Sequence, residues 1–214
     1  MLTLEARWQQ LTTPLAPDAE LRHATFQRLK DAYTGPGRHY HALPHVQALL
    51  DTVERHRSAL HDAAVVQLAV WFHDAVYNPL RADNEAQSAA LARQFLAHTT
   101  LTAARRERVG YLIERTKDHT QQVPATDNDL HLFLDADLQV LGAAEPDYWQ
   151  YARQVRQEYA LVPDVLYRRG RQQVLEKLLA APRLYQTAAF RERLEAPARR
   201  NLQAELLAWQ QNRF

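Results

Sequence analysis

Residues 63–76 read AAVVQLAVWFHDAV, and the fold turns on how that stretch is read. Val65, Val66, Leu68, Val70, Trp71 and Phe72 leave almost no polar face, which is the signature of a helix buried on every side. The histidine and aspartate that follow therefore sit where an unpaired carboxylate costs on the order of several kcal/mol. The rest of the chain has to supply a partner for them.

Outward from this segment the pattern stays helical. Only 5 glycines occur in 214 residues, alternating β-branched segments are few, and Leu, Ala, Gln, Arg and Glu recur at three- and four-residue spacing. The expected fold is all-α, a single helical bundle over 1–214, with helices near 3–12, 18–33, 44–57, 62–76, 84–98, 102–117, 128–142, 146–160, 164–180 and 196–212. TGPG at 34–37, NP at 78–79 and VPATDND at 123–129 punctuate the loops. No repeat, low-complexity tract or long linker divides the chain.

Composition narrows the function. Lys plus Arg (26) nearly balances Asp plus Glu (25), so no overall field draws in a nucleic-acid polymer or an acidic membrane, and the expected partner is small. With no cysteine, thiolate metal sites and a cysteine nucleophile are excluded, and any metal site must use His, Asp or Glu. MLTLEARWQQL lacks the apolar segment of a secretory signal, and no stretch approaches the roughly 20 apolar residues of a membrane span. A cytoplasmic protein is expected.

Two His-Asp doublets occur. His61-Asp62 precedes the apolar run, so Asp62 reads as a helix start, where its negative charge is favourable. His73-Asp74 closes the run and should be largely buried. In DLHLFLDADLQVL, steps of about 100° place Leu130, Phe133, Leu134 and Leu141 on one stripe with Asp137 near its middle. Asp135 falls off that stripe and reads as solvated, or as support behind a ligand. In RHYHALPH, Pro44 suits the first turn of a helix, which places His45 in that turn and leaves His41 in the loop before it.

Two histidines and two aspartates from three helices thus share one problem, which a divalent cation solves. Neutral imidazoles and two carboxylates suit Mn, Fe, Co, Ni, Zn or Mg, and two negative charges offset the cation's two positive ones. Consecutive residues on a helix diverge by about 100°, so the ion would have to sit in the wedge between His73 and Asp74.

The order His45, His73-Asp74, Asp137 resembles the HD superfamily of metal-dependent phosphohydrolases, over a core of about 38–142. The phrases YHALPH, AVWFHDAVYNP, DNEAQSA and FLDADLQVLG look like a small bacterial subgroup predicted to be phosphohydrolases, and YARQVRQEY and RNLQAELL extend the likeness. The resemblance implies an all-α core, four ligands at His45, His73, Asp74 and Asp137, and hydrolysis of a phosphate ester or anhydride of a nucleotide or other small phosphorylated metabolite. Relatives that cleave guanosine tetraphosphate carry a Glu-Asp pair where this chain reads AVYNP, so alarmone hydrolysis is not expected.

Around those ligands the chemistry needs a proton donor, a group on the attacking water and cations on phosphate. His119 in TKDHT is the candidate general acid or phosphate contact, because imidazole titrates near neutrality. Glu85 in ADNEAQSA could assist the water, although Asp83, Asn84 and Glu85 also make a plain acidic helix start. Asp74, besides holding the ion, could orient the water. Arg38, Tyr40 and His41 are candidates to line the substrate pocket. RRGR at 168–171 reads as a solvated helix face from which Arg171 could reach phosphate. The competing function is a sensor that holds metal and nucleotide without turnover; a third reading treats the same residues as a buried polar network in a helical interaction protein.

Overall fold

A computed structural model describes residues 2–211 and 213. Among them the chain is all-α, with no β-structure. The helices are α1 (Leu4–Thr12), α2 (Ala19–Thr34), α3 (Leu43–Arg55), α4 (Ala63–Phe72), α5 (Asn84–Leu96), α6 (Ala103–Arg115), α7 (Asn128–Asp137), α8 (Glu145–Glu158), α9 (Asp164–Ala180), the short α10 (Ala188–Phe190) and α11 (Ala196–Gln210). They gather into two compact units that meet in sequence at Lys117 and Asp118, within the 38–142 core that the resemblance outlines.

Several starts are set by side chains that accept the first free amides. Thr3, Asp18, Asp62, Thr102 and Asp127 cap α1, α2, α4, α6 and α7 in this way. The cap that Asp62 places on the Val65 amide bears out its reading as a helix start, and Asp62 also pairs with Arg105 of α6.

In the first unit α4 is the centre. It packs against α3, α5 and α6, and seven of its ten residues are buried. Trp8 of α1 meets Trp71 edge-on, with ring centroids 5.4 Å apart, and Phe95 of α5 at 5.2 Å. Phe72 stacks on Phe95 at 5.9 Å. Aromatic burial on this scale anchors the helix and fixes where its end lies.

In the second unit α11 packs against α9 and against a 3-10 turn, Leu138–Gly142, that continues α7. Asn201 donates to the carbonyls of Leu141 and Ala143, which ties that turn to α11. Gly142 is needed there, because a Cβ on it would stand 2.9 Å from the Leu194 carbonyl oxygen.

The structure corrects the expected elements in three places. The helix read over 62–76 stops at Phe72, and the one read over 128–142 gives way to a 3-10 turn after Asp137. Residues 188–195, left without a helix, are helical: α10 runs through a π turn, Arg191–Glu195, into α11. Pro197 explains the widened turn, since it has no N–H to close the helical bond ahead of it.

Candidate metal centre

His45 is the third residue of α3, after Pro44, and is buried. His73 caps the end of α4 and is only 1% exposed. Asp74 follows it, partly buried. One donor atom from each lies within 4.8 Å of the others. The Nε2 atoms of His45 and His73 are 3.2 Å apart, and Asp74 Oδ2 stands 3.0 Å from His73 Nε2 and 3.7 Å from His45 Nε2.

The way α4 ends makes this possible. A helix that continued would carry the Asp74 amide to the Val70 carbonyl and the Ala75 amide to that of Trp71. Instead, the Val70 carbonyl accepts from His73 Nδ1 at 2.9 Å and the Trp71 carbonyl accepts from the Tyr33 hydroxyl at 3.2 Å. The Asp74 amide donates to that same hydroxyl, also at 3.2 Å, and the Ala75 amide folds back to Phe72 at 3.0 Å. The carbonyls that a helix end leaves open are thus taken, and the regular helix stops at His73, which itself keeps helical angles (φ −56°, ψ −39°). The two neighbours nonetheless bring Nε2 and Oδ2 to within 3.0 Å of each other.

A carbonyl can only accept, so the Val70 contact places the proton of neutral His73 on Nδ1 and leaves Nε2 with a lone pair facing His45 and Asp74. The circle through the three donor atoms has a radius of about 1.9 Å, slightly under the roughly 2.1 Å length of a Zn–N or Zn–O bond. The three atoms are therefore spaced so that they would hold a single ion. The described residues hold a His-His-Asp cluster, buried at both histidines, that is able to coordinate a metal ion.

Tyr40 and His41 gather at the same place. Their ring centroids lie 4.8 and 5.8 Å from that of His45, and His41 stacks on Tyr77 at 4.4 Å. Arg38 donates to the carbonyls of His41 and Ala75, and its guanidinium lies over the rings of Tyr33 and Tyr77. The chain enters Arg38 through Gly37, whose φ of 80° lies in the left-handed region that glycine adopts without strain. Glu85 sits in the first turn of α5, partly buried, and is not one of the three donors.

The remaining candidates belong to the second unit. Asp137 is the last residue of α7 and lies 2.9 Å from His119 Nε2. Beside His119, Asp118 accepts from Lys177 and from the amide and hydroxyl of Thr120. Burial pushes that carboxyl up, but these donors outweigh it and hold it at about 2.

Two readings are corrected here. Asp135, expected off the buried stripe, is fully buried: it accepts from the amides of Gln186 and Thr187 and from the Thr187 hydroxyl. Burial pushes its carboxyl up, and these bonds offset only part of that rise. Arg171 is not on a solvated face. It is buried and forks onto Glu205, with bonds of 2.8 and 2.9 Å. Glu205 also accepts from Tyr148 and Trp209. Its spacing of four from both Asn201 and Trp209 carried the signal that this acid lies on the buried stripe of α11. Tyr33 lies likewise on the buried stripe of α2 with Phe26 and Leu29, but nothing in that spacing tells that its hydroxyl reaches the end of α4.

A cavity of about 500 Å³ in the first unit is lined by Leu11, Leu50, Ala64 and Trp71 among others, and none of the three donors lines it. No helix among the described residues is long and apolar enough to cross a membrane. Compared with protein-family models, curated proteins and solved structures, the chain shows no match.

Proposed function

We propose that the chain is a metal-dependent phosphohydrolase that cleaves a phosphate ester or anhydride of a nucleotide or other small phosphorylated metabolite, with His45, His73 and Asp74 holding a divalent cation. The observation that carries this reading is the donor triangle with the His73 tautomer set by Val70. Two imidazoles and one carboxylate favour Mn, Fe, Co, Ni or Zn over Mg, which prefers oxygen donors.

A cation bound there supplies Lewis acidity, which makes water a nucleophile at neutral pH and draws charge from a phosphoryl oxygen. The protein does the rest. Three protein donors are fewer than the roughly four to six positions such ions fill, so water and substrate have room to approach. Asp74, the most exposed of the three, offers its second oxygen to orient the attacking water. Tyr40, His41 and Tyr77 supply an aromatic wall beside His45 against which a planar leaving group can lie. The assignment of Asp137 as a fourth ligand and His119 as proton donor rests on the resemblance to HD phosphohydrolases.

The test is phosphate release from p-nitrophenyl phosphate and a panel of nucleotides and sugar phosphates, with Mn, Co, Ni, Zn and Mg in turn. Release that is lost in His73→Ala is expected. Metal bound in stoichiometric amount with no release from any substrate would overturn hydrolysis and leave a binding sensor.

A further inference from the structure

We infer that Tyr33 and Arg38 form a brace that holds the two ligand-bearing segments in register, so that both act as positioning residues for the cation site. The inference rests on reading His45, His73 and Asp74 as that site.

His45 and the His73-Asp74 doublet lie 28 residues apart in sequence, on the start of α3 and the end of α4, and three donor atoms must agree to within a few tenths of an ångström. Packing of α3 on α4 sets the distance between the helices but not the path of the loops beyond them. Arg38 does the latter. Its Nη1 donates to the His41 carbonyl at 2.9 Å, four residues before His45, and its Nη2 donates to the Ala75 carbonyl at 3.2 Å, directly after Asp74. One rigid planar fork thus spans both segments.

Tyr33 completes the brace from α2. Its fully buried hydroxyl donates to the Trp71 carbonyl and accepts the Asp74 amide, closing the turn in which His73 and Asp74 come to face one point. The Arg38 guanidinium lies 5.3 Å from the Tyr33 ring centroid and 5.1 Å from that of Tyr77, within cation–π range of both. The two side chains therefore hold each other as well as the backbone. A lysine cannot repeat the fork, and a phenylalanine keeps the ring but not the hydroxyl.

The test uses the full chain with Co(II) alone as probe, and hydrogen exchange on the metal-free protein. Tyr33→Phe and Arg38→Met are expected to weaken Co(II) binding about 10- to 100-fold, the usual effect of removing a group that orients a ligand, and to shift the visible Co(II) spectrum. Arg38→Lys should fall between. In the metal-free variants amide exchange should quicken over 39–45 and 73–78 and stay unchanged in α1, α5 and α6. Arg105→Met, which breaks an equally well-formed pair at the opposite end of α4, should leave Co(II) affinity unchanged.

Wild-type affinity, spectrum and local exchange in both Tyr33→Phe and Arg38→Lys would overturn the brace. So would an Arg38→Met protein that binds Co(II) as wild type and only shows a raised KM for p-nitrophenyl phosphate, since Arg38 would then touch substrate. If the wild type bound no Co(II) while local exchange quickened as expected, the brace would stand and the reading of the triangle as a cation site would fall.

Discussion

The ring of His73 turns back onto its own helix, its Nδ1 donating to the Val70 carbonyl at 2.9 Å while Nε2 stands 3.0 Å from Asp74. One side chain both ends α4 and aims a lone pair at the neighbouring donors. Replacing it with alanine removes a ligand and reopens a helix end, so His73→Ala is expected to lose stoichiometric Mn or Co. Asp74→Asn should lose the metal with its helical circular dichroism intact. Elemental analysis after dialysis decides both, and full retention of metal by either contradicts the triangle.

Asp62 is the contrast at the other end of the same helix. Its carboxylate caps Val65 and pairs with Arg105, and it lies outside the donor set. Asp62→Ala should bind metal as the wild type does while losing about 1 kcal/mol of stability in urea unfolding, the usual effect of a lost cap.

An ion that binds only the folded chain stabilises it. At a free concentration of Mn or Co about 100 times its Kd, the gain is about 2.7 kcal/mol, and Tm should rise accordingly. His45→Ala should remove that rise. A wild-type Tm indifferent to every ion tried would count against the site.

Buried Arg171 and Glu205 give a prediction with a pH signature. Burial pushes the Glu205 carboxyl up, but the Arg171 bonds and charge outweigh it and leave it below the ordinary value. For an acid so lowered, the pair's contribution is present above the unfolded carboxyl value of about 4.3 and fades as pH falls through the folded one. Glu205→Gln should therefore flatten the loss of stability below about pH 4.3. Arg171→Met, which strands a buried carboxylate, should cost about 3–5 kcal/mol near neutrality in urea unfolding. A smaller penalty than for an exposed pair would contradict the burial.

Two glycines should respond oppositely to alanine. At Gly142 the new Cβ would press on the backbone of Leu194, at 2.9 Å from its oxygen and 3.1 Å from its Cα, and a loss of about 1–3 kcal/mol is expected. At Gly110 it would meet only the tip of Arg93, which can swing away from its surface partners Glu107 and Glu114. The helix preference for alanine, about 1 kcal/mol, offsets that displacement, so Gly110→Ala should stay within about 1 kcal/mol of wild type. Equal Tm values for the two variants would overturn the distinction.

Much of this was legible because it depends on local pattern. The apolar run marked α4, Pro44 marked the start that carries His45, and Asp62 marked a cap. What stayed hidden depends on distant chain. The end of α4 was placed four residues late because its carbonyls are taken by His73 and by Tyr33, 38 residues from Trp71, and neither bond has a sequence period. Helical phase misplaced Asp135 for a related reason: a single stripe describes a helix buried on one side, whereas α7 buries Asp129, His131 and Asp135 together. Arg171 was read as solvated because arginine usually is, and its partner lies 34 residues on.

The ten residues of α4 that hold the first unit together contain no charge at all and five β-branched or aromatic side chains, Val65, Val66, Val70, Trp71 and Phe72. Such a segment is safe only once docked. Any lesion that loosens α1 or α6 from it, heat and nascent-chain stalling included, bares a sticky peptide that pairs with its like, so damage far from the His-His-Asp cluster will surface first as aggregation.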